Sequence, residues 1–210
     1  MKHAPASTRS GASREKGTLD RATIVRTALR LLDEVGIDGL STRRLAAELD
    51  IKSASLYWHF KDKNELLNEM SGAMFEKALR PPNVDGPDFD WAEWLAEGAR
   101  AIRRTALSCR DGAQVMARPR PRTPGLSFED NVKTAMRSGL TDMEARLTMQ
   151  TLRRFAIGSA LQEQATPAAT GIVVAGKEGF EFGLQTFLDG LRARLAERQK
   201  VARSLNRPRA

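Results

Sequence analysis

The sequence predicts an all-α protein with a small N-terminal bundle of helices and a larger C-terminal one. Apolar residues recur at helical spacing through most of the chain, and stretches rich in Pro, Gly or Ser separate the helical segments. No stretch alternates polar and apolar residues over the length of a strand. The β-branched run at 172–174 is too short to build a sheet. These observations favour helices packed on helices.

Composition narrows the class of protein. The chain has 210 residues, of which 41% are hydrophobic, and its 34 Lys and Arg against 26 Asp and Glu give a net charge of +8. No segment reaches the roughly 18 apolar residues of a membrane helix, and the first residues lack an apolar signal-peptide core. We therefore expect a soluble cytoplasmic protein with no membrane partner. One cysteine, Cys109, and two histidines exclude an internal disulfide and a Cys/His metal cluster, so we expect no metal and no cofactor.

The N-terminal helices follow from their capping and breaking residues. Residues 1–19 are basic and nearly free of large apolar side chains, so we expect a disordered arm. Asp20 is the expected N-cap of the first helix, and Gly36 supplies the left-handed residue that ends it. Ser41 is a second capping residue, at the start of a short helix. The helices after the first are expected at about 42–49, 53–59 and 63–80, the last of them stopped by two prolines.

The C-terminal half follows a linker at 81–90 that is rich in Pro, Gly and Asp. Its helices are expected at about 90–109, 110–117, 127–138, 141–165 and 178–201. The last two carry more bulky apolar residues than one buried stripe requires, which indicates burial on two sides and packing against a second copy of the chain. The residues expected at this dimer interface are Leu152, Phe155, Phe187 and Leu191. The alternative is one thick core within a single chain.

The second and third helices, joined by a tight turn and preceded by a packing helix, form a helix-turn-helix pattern. A short helix can enter the major groove of DNA when another helix braces it, and its outward residues then meet bases and phosphates. Small, polar or basic residues face outward in this segment: Arg43, Lys52, Ser53, Ala54, Ser55, His59, Lys61 and Lys63. From charge alone, the alternative is an ordinary solvated face.

Residues 24–67, and above all the stretch LYWHFKDK, closely resemble the DNA-binding domain of the TetR family of bacterial repressors. Within that family the similarity is strongest to the tetracycline-repressor subgroup. The resemblance implies that Arg43 reads a guanine and that Lys52, Ser53 and Ala54 select the sequence. The residues that align with backbone-contacting or helix-packing positions are Thr42, Ser55, Tyr57, Trp58, His59 and Lys63. Tetracycline repressors typically have a proline at the position of Ala54 and an acidic residue at the position of Lys52. We therefore expect this chain to bind an operator other than the tetracycline operator.

Aromatic and methionine side chains between the linker and the last helices indicate an adaptable apolar pocket, with plain core as the alternative. The residues expected to line it are Leu79, Trp94, Gly98, Ile102, Met116, Phe128, Met136 and Met149. The resemblance continues through TALSCRDGA. It implies that Leu79 and Gly98 stand where tetracycline repressors have a drug-binding histidine and asparagine. It also implies that Met116 stands where they have a metal-binding histidine. None of these can bind magnesium–tetracycline, so we expect a more apolar inducer.

The expected function is a ligand-responsive repressor that binds a palindromic operator in double-stranded DNA as a homodimer and is released by a small apolar molecule. The expected domains are the arm at 1–19, the helix-turn-helix domain at 20–67, the ligand-binding and dimerisation domain at 68–203, and a basic tail at 204–210. The alternative is a DNA-binding structural protein that responds to no ligand. An enzyme is not expected, because Cys109 has no histidine near it in the sequence and no other catalytic arrangement emerges.

Overall fold

The computed structural model describes residues 19–78, 89–119, 128–165 and 176–205, and these ranges contain nine helices and no strand. The helices are α1 (Arg21–Gly39), α2 (Thr42–Glu48), α3 (Ser53–Leu56), α4 (Lys63–Ala78), α5 (Trp91–Leu107), α6 (Gly112–Met116), α7 (Phe128–Met136), α8 (Asp142–Ala165) and α9 (Gly176–Leu205). The all-α prediction is confirmed. The expected arm up to residue 18, most of the linker, Leu79 and the tail from residue 206 lie outside the described residues.

Capping residues set the start of the first two helices as the sequence predicts. Asp20 Oδ1 accepts a hydrogen bond from the backbone N of Thr23 at 2.6 Å, and Ser41 Oγ accepts one from the backbone N of Arg44 at 3.2 Å. Gly36 breaks α1 with φ 72° and ψ 176°, a backbone region that is essentially restricted to glycine. A further turn to Gly39 follows this break before α2 begins.

The turn between α2 and α3 is made without glycine. Asp50 takes a left-handed conformation with φ 52°, and the backbone N of Ile51 donates to the carbonyl of Ala46 at 3.0 Å. The helix α3 ends at Leu56, earlier than the expected residue 59. The chain continues there as a turn, in which His59 N donates to the Leu56 carbonyl at 3.0 Å.

One continuous apolar core joins the N-terminal helices to the C-terminal ones through α4. In the N-terminal part it is centred on Ile24, Leu32 and Leu45, which are all fully buried. Along α4 it continues through Met70 and Phe75. The expected domain boundary at residue 67 therefore falls inside a single helix that belongs to both parts.

Helix α5 is the centre of the C-terminal bundle and packs against α4, α6, α7, α8 and α9. An ion pair joins α5 to α9: Nε and Nη2 of Arg100 donate hydrogen bonds to the Glu181 carboxylate at 2.9–3.1 Å. A smaller apolar cluster joins α7, α8 and the distal part of α9 around Val132, Ala145 and Leu195. Among the helices described, none has the length and apolar character needed to cross a membrane.

Candidate DNA-binding surface and effector cavity

Helices α2 and α3 present the expected polar and basic side chains on an exposed surface. Arg43, Lys52 and Ala54 are exposed, as are Tyr57 and Trp58. Trp58 is 90% exposed, although tryptophan is among the side chains that gain most from burial. Four further expected contact residues are half-buried at the edge of the same surface: Thr42, Ser53, Ser55 and His59. The side chains on this surface are small, polar or cationic, apart from the two aromatic ones of Tyr57 and Trp58.

Lys63 is bound within the chain. Its Nζ donates a hydrogen bond to the backbone carbonyl of Ile37 at 2.9 Å, in a half-buried site. The ammonium group therefore ties the start of α4 to the segment that follows the break in α1. Of the two roles expected for Lys63, contact with the DNA backbone or packing between helices, this bond fits the second.

An arginine that sequence reasoning missed braces the same region. Arg21 Nη2 contacts the carboxylates of Glu65 at 2.9 Å and Glu69 at 2.8 Å, and its Nη1 donates to the backbone carbonyl of His59. Its guanidinium carbon lies 4.4 Å from the ring centroid of Phe60. Hydrogen bonding from Arg21 lowers the pKa of Glu65. These contacts fix the end of α3 against α1 and α4, and they join residues too far apart in sequence to predict.

The N-terminal helices also contact the bundle directly, through the segment between α5 and α6. Asp111 Oδ2 accepts from the backbone N of Ile37 at 2.8 Å, and the backbone N of Arg110 donates to Asp33 Oδ1 at 3.0 Å. Gly36 lies in the same contact, because a Cβ built there would be 2.8 Å from Asp111 Oδ2. A movement of the start of α6 would therefore displace the end of α1, to which these hydrogen bonds join it.

A cavity of about 270 Å³ lies between α4, α5, α7 and α8. Its apolar walls include four of the residues that the sequence singled out, namely Trp94, Gly98, Ile102 and Met149. Polar groups also reach it: Lys77, Glu97, Arg104, Asn131 and Arg153. The space beside Gly98 is open, since a Cβ built there has no atom within 4 Å.

A second cavity, of about 410 Å³, adjoins the first and includes Phe128 in its lining. Two other expected pocket residues lie elsewhere. Met116 is fully buried in the main core and lines neither cavity, and Met136 is 39% exposed on α7 and also lines neither. The alternative interpretation as plain core describes the position of Met116 better than a pocket wall does, whereas Met136 lies on the surface, which neither interpretation predicts.

Helices α8 and α9 leave apolar side chains uncovered in the single chain. Leu147 on α8 is 53% exposed and Phe182 on α9 is 76% exposed. A groove of about 400 Å³ between the two helices is lined by Leu147, Phe187 and Leu191, among others. Phe155 is partly buried and stacks on Phe180 with ring centroids 5.2 Å apart.

Leu152 is a correction to the expected dimer interface. Its side chain is only 4% exposed in the single chain, where it belongs to the main core and to the wall of the first cavity. A residue already covered within its own chain offers no surface to a partner. Leu147, five residues earlier on α8, carries the exposed apolar surface instead.

Two family models match the chain. The model described as bacterial regulatory proteins of the tetR family matches residues 24–70, and the model of the tetracyclin repressor-like C-terminal domain matches residues 83–173. The class A tetracycline repressor protein from transposon 1721 of Escherichia coli is 33% identical, over 89% of this chain and 95% of that protein. The chain belongs to the TetR family.

Solved structures share the fold of this TetR-family chain. A TetR variant from Acinetobacter baumannii AYE in complex with minocycline is 33% identical, with a TM-score of 0.74 over 83% of this chain and 97% of that one. BioQ in complex with its double-stranded DNA operator is 29% identical, with a TM-score of 0.64 over 83% and 99% of the two chains. The resemblance to tetracycline repressors that the sequence indicates is therefore confirmed, over both the helix-turn-helix part and the C-terminal bundle.

Proposed function

We propose that this TetR-family chain is a ligand-responsive transcriptional repressor, which binds a near-palindromic operator as a homodimer and leaves it when a small molecule fills the cavity beside α4. The observation that carries the proposal is the course of α4. Its first residue, Lys63, is hydrogen-bonded to the carbonyl of Ile37 in the last turn of α1, and its last described residues, Lys77 and Ala78, line the cavity. One rigid element thus connects a candidate DNA surface to a candidate ligand site.

The exposed residues of α2 and α3 fit a surface that reads DNA. Arg43 has the fork of N–H donors that recognises a guanine edge in the major groove, and Lys52, Ser53 and Ala54 lie at the start of α3, where base contacts are made. Tyr57 and Trp58, with Thr42, Ser55 and His59 beside them, are suited to the sugar–phosphate backbone. The operator complex of BioQ supports this use of the fold.

A dimer follows from the uncovered apolar residues of α8 and α9. Exposed side chains such as Leu147 and Phe182 gain from burial against a second copy, and a twofold interface brings the same patch from each chain together. A dimer presents two α3 helices to half-sites spaced by about 34–36 Å or a multiple of it. Binding at the first half-site makes binding at the second intramolecular, which multiplies the affinity.

The small molecule acts by shifting a conformational equilibrium. It prefers the conformer in which α4 holds the two DNA-binding surfaces off the spacing of the half-sites, so DNA affinity falls by as much as ligand affinity differs between the conformers. The minocycline complex of the Acinetobacter protein supports a small-molecule effector for this fold. The resemblance implies that Met116 replaces the metal-binding histidine of tetracycline repressors and that Gly98 replaces their drug-binding asparagine. A thioether buried in the core is a poor ligand for magnesium and a glycine has no side chain to bind the drug, so we expect an effector other than minocycline. As a repressor, the chain acts in the bacterial cytoplasm and catalyses no reaction.

Selection of bound sequences from random duplex DNA, at one moderate salt concentration, tests the proposal. We expect one enriched near-palindrome. Arg43→Ala should relax the preference at one base pair in each half-site and cost about 1–3 kcal/mol of binding free energy on the selected duplex. Lys61→Ala, which removes a neighbouring charge, should weaken binding to all duplexes alike. No enrichment, with binding that disappears as salt rises, would leave a nonspecific DNA-binding protein and contradict the proposal.

A further inference from the structure

One side chain joins the end of α8 to the turn between α5 and α6. Gln164 Nε2 donates hydrogen bonds to the backbone carbonyls of Ala106 at 3.2 Å and Cys109 at 2.9 Å. Its Oε1 accepts one from the backbone N of Ala113 at 3.1 Å. Helix ends leave backbone groups without partners inside the helix, and Gln164 binds such groups at the end of α5 and at the start of α6. A single carboxamide therefore holds the turn against α8.

The backbone of this turn has a conformation that needs support from its surroundings. Asp111 is left-handed with φ 56°, which residues other than glycine adopt rarely. The next residue, Gly112, has no room for a side chain, because a Cβ built there would lie 2.4 Å from the Ala106 carbonyl oxygen. Such a conformation persists where neighbouring contacts impose it, and Gln164 supplies three of those contacts. The turn is therefore held in one shape at the end of α8.

The same turn is bonded to the DNA-binding helices. Asp111 accepts from the backbone N of Ile37, and the backbone N of Arg110 donates to Asp33 on α1. Helices α1 to α3 are thus attached to the bundle at two places, along α4 and at this turn. A body attached at one place can pivot about it, whereas a second attachment fixes its orientation. Gln164 connects the second attachment to α8.

Helix α8 also carries part of the candidate dimer surface. At a rise of 1.5 Å per residue, Gln164 lies about 25 Å along the helix from the exposed Leu147. We propose that Gln164 is a positioning residue: it fixes the orientation of helices α1 to α3 relative to the dimer surface, and so sets the spacing of half-sites that the dimer accepts. This inference rests on the proposed function, because it requires a dimer through α8 and α9 that binds two half-sites.

A series of duplexes tests the proposal on the full chain. The half-sites of the selected operator are kept at their selected spacing or separated by one base pair more or one fewer. One added base pair moves a half-site by about 3.4 Å and turns it by about 35° around the DNA axis. A rigid dimer cannot follow both changes. Wild-type protein should therefore bind either altered duplex about tenfold or more weakly in an anisotropy titration.

Gln164→Met removes the three hydrogen bonds and keeps the length of the side chain. Because Gln164 is exposed, water can bind the freed backbone groups, and we expect the variant to fold. Its loss of affinity on the altered duplexes should be less than about threefold. Affinity for a duplex with a single half-site should stay within about twofold of wild type. Gln199→Met, the same change at an exposed residue near the end of α9, is the control and should keep the wild-type spacing preference.

A second variant breaks the next link of the same path. Asp111→Gly removes the acceptor for the backbone N of Ile37, and glycine adopts a φ of 56° without strain. We expect the same relaxed spacing and the same single half-site affinity as in Gln164→Met. Circular dichroism shows whether each variant is folded at the assay temperature, and Asp111→Gly carries the test if Gln164→Met is not.

The proposal is overturned if folded Gln164→Met keeps the wild-type spacing preference, or if Gln199→Met relaxes it equally. It is also overturned if Gln164→Met binds the single half-site as weakly as it binds the altered duplexes, since Gln164 would then support the reading surface itself. A wild-type chain that selects no sequence contradicts the proposed function. A wild-type chain that selects a half-site but accepts every spacing equally contradicts this inference and leaves sequence-specific DNA binding intact.

Discussion

The substitution Gly98→Leu is the sharpest structural test of the cavity as the effector site. Gly98 lies inside α5 and lines the cavity of about 270 Å³, and a Cβ built there meets no atom within 4 Å, so we expect the cavity to accept the new side chain. Glycine in a helix costs about 1 kcal/mol relative to alanine, and leucine is close to alanine. We therefore expect the variant to be more stable by roughly 0.5–1 kcal/mol, which corresponds to about 1–4 °C in Tm.

The same substitution should abolish the response to a ligand. The added side chain occupies space that a ligand needs, so affinity for a cavity probe should fall by about tenfold or more, while affinity for operator DNA should stay within about twofold. Thermal unfolding followed by circular dichroism gives the stability, and fluorescence titration gives the probe and DNA affinities. Gly98→Ala is the matched control, because it gains helix propensity without filling the cavity and should keep probe binding. A Gly98→Leu protein that is destabilised, or that binds the probe as wild type does, would refute the reasoning.

Four further expectations concern the interface, the backbone, acid stability and the inducer. Leu147→Glu should sediment as a monomer and lose affinity for the operator, because the new charge would be buried in the dimer interface. The control Met136→Glu, which changes an exposed apolar residue on α7, should remain dimeric. A dimeric Leu147→Glu protein would place the interface elsewhere. Gly36→Ala should lower the unfolding free energy by about 1–3 kcal/mol in denaturant titrations, because its backbone conformation excludes a side chain, and unchanged stability would count against this. Hydrogen bonding from Arg198 and Thr141 lowers the pKa of Glu144 to about 2, so its stabilisation is present above its ordinary pKa and is lost as pH falls from about 4.5 towards 2. Glu144→Gln should therefore unfold with a shallower pH dependence in that window, and an identical acid limb would contradict the assignment. Magnesium with minocycline should leave the operator complex intact in an anisotropy titration, and release of DNA would show that a different residue set binds the chelate.

Local signals in the sequence predict the helices well, because each depends on residues a few positions apart. Asp20 and Ser41 cap the helices expected of them, and Gly36 breaks α1 where a glycine-only conformation is needed. The turn at Asp50 carries no such signal, since the left-handed residue there is an aspartate. Local pattern therefore gives the order of elements and most boundaries, to within a few residues.

Contacts between distant residues are not predictable in the same way. The bond from the Ile37 backbone to Asp111 spans 74 positions, and nothing in either local sequence indicates the other. Similarly, a wide apolar face on α8 predicts a covered surface but not which residue turns outward. Leu152 and Leu147 have equal hydrophobicity, and only the packing of α8 on α5 and α9 buries the first and exposes the second. The same ambiguity separates the core residue Met116 from the cavity residue Met149.

The most direct test of the account measures the coupling between the cavity and DNA. Small molecules are first screened for those that raise the Tm of the wild-type chain and not of Gly98→Leu, and the affinity of each is then measured with and without the selected operator duplex. We predict that at least one such compound weakens operator binding, and that the operator weakens the compound by the same factor, as linkage requires. If every compound that binds the cavity has the same affinity in the presence and absence of the operator, the cavity does not control DNA binding and the account is wrong.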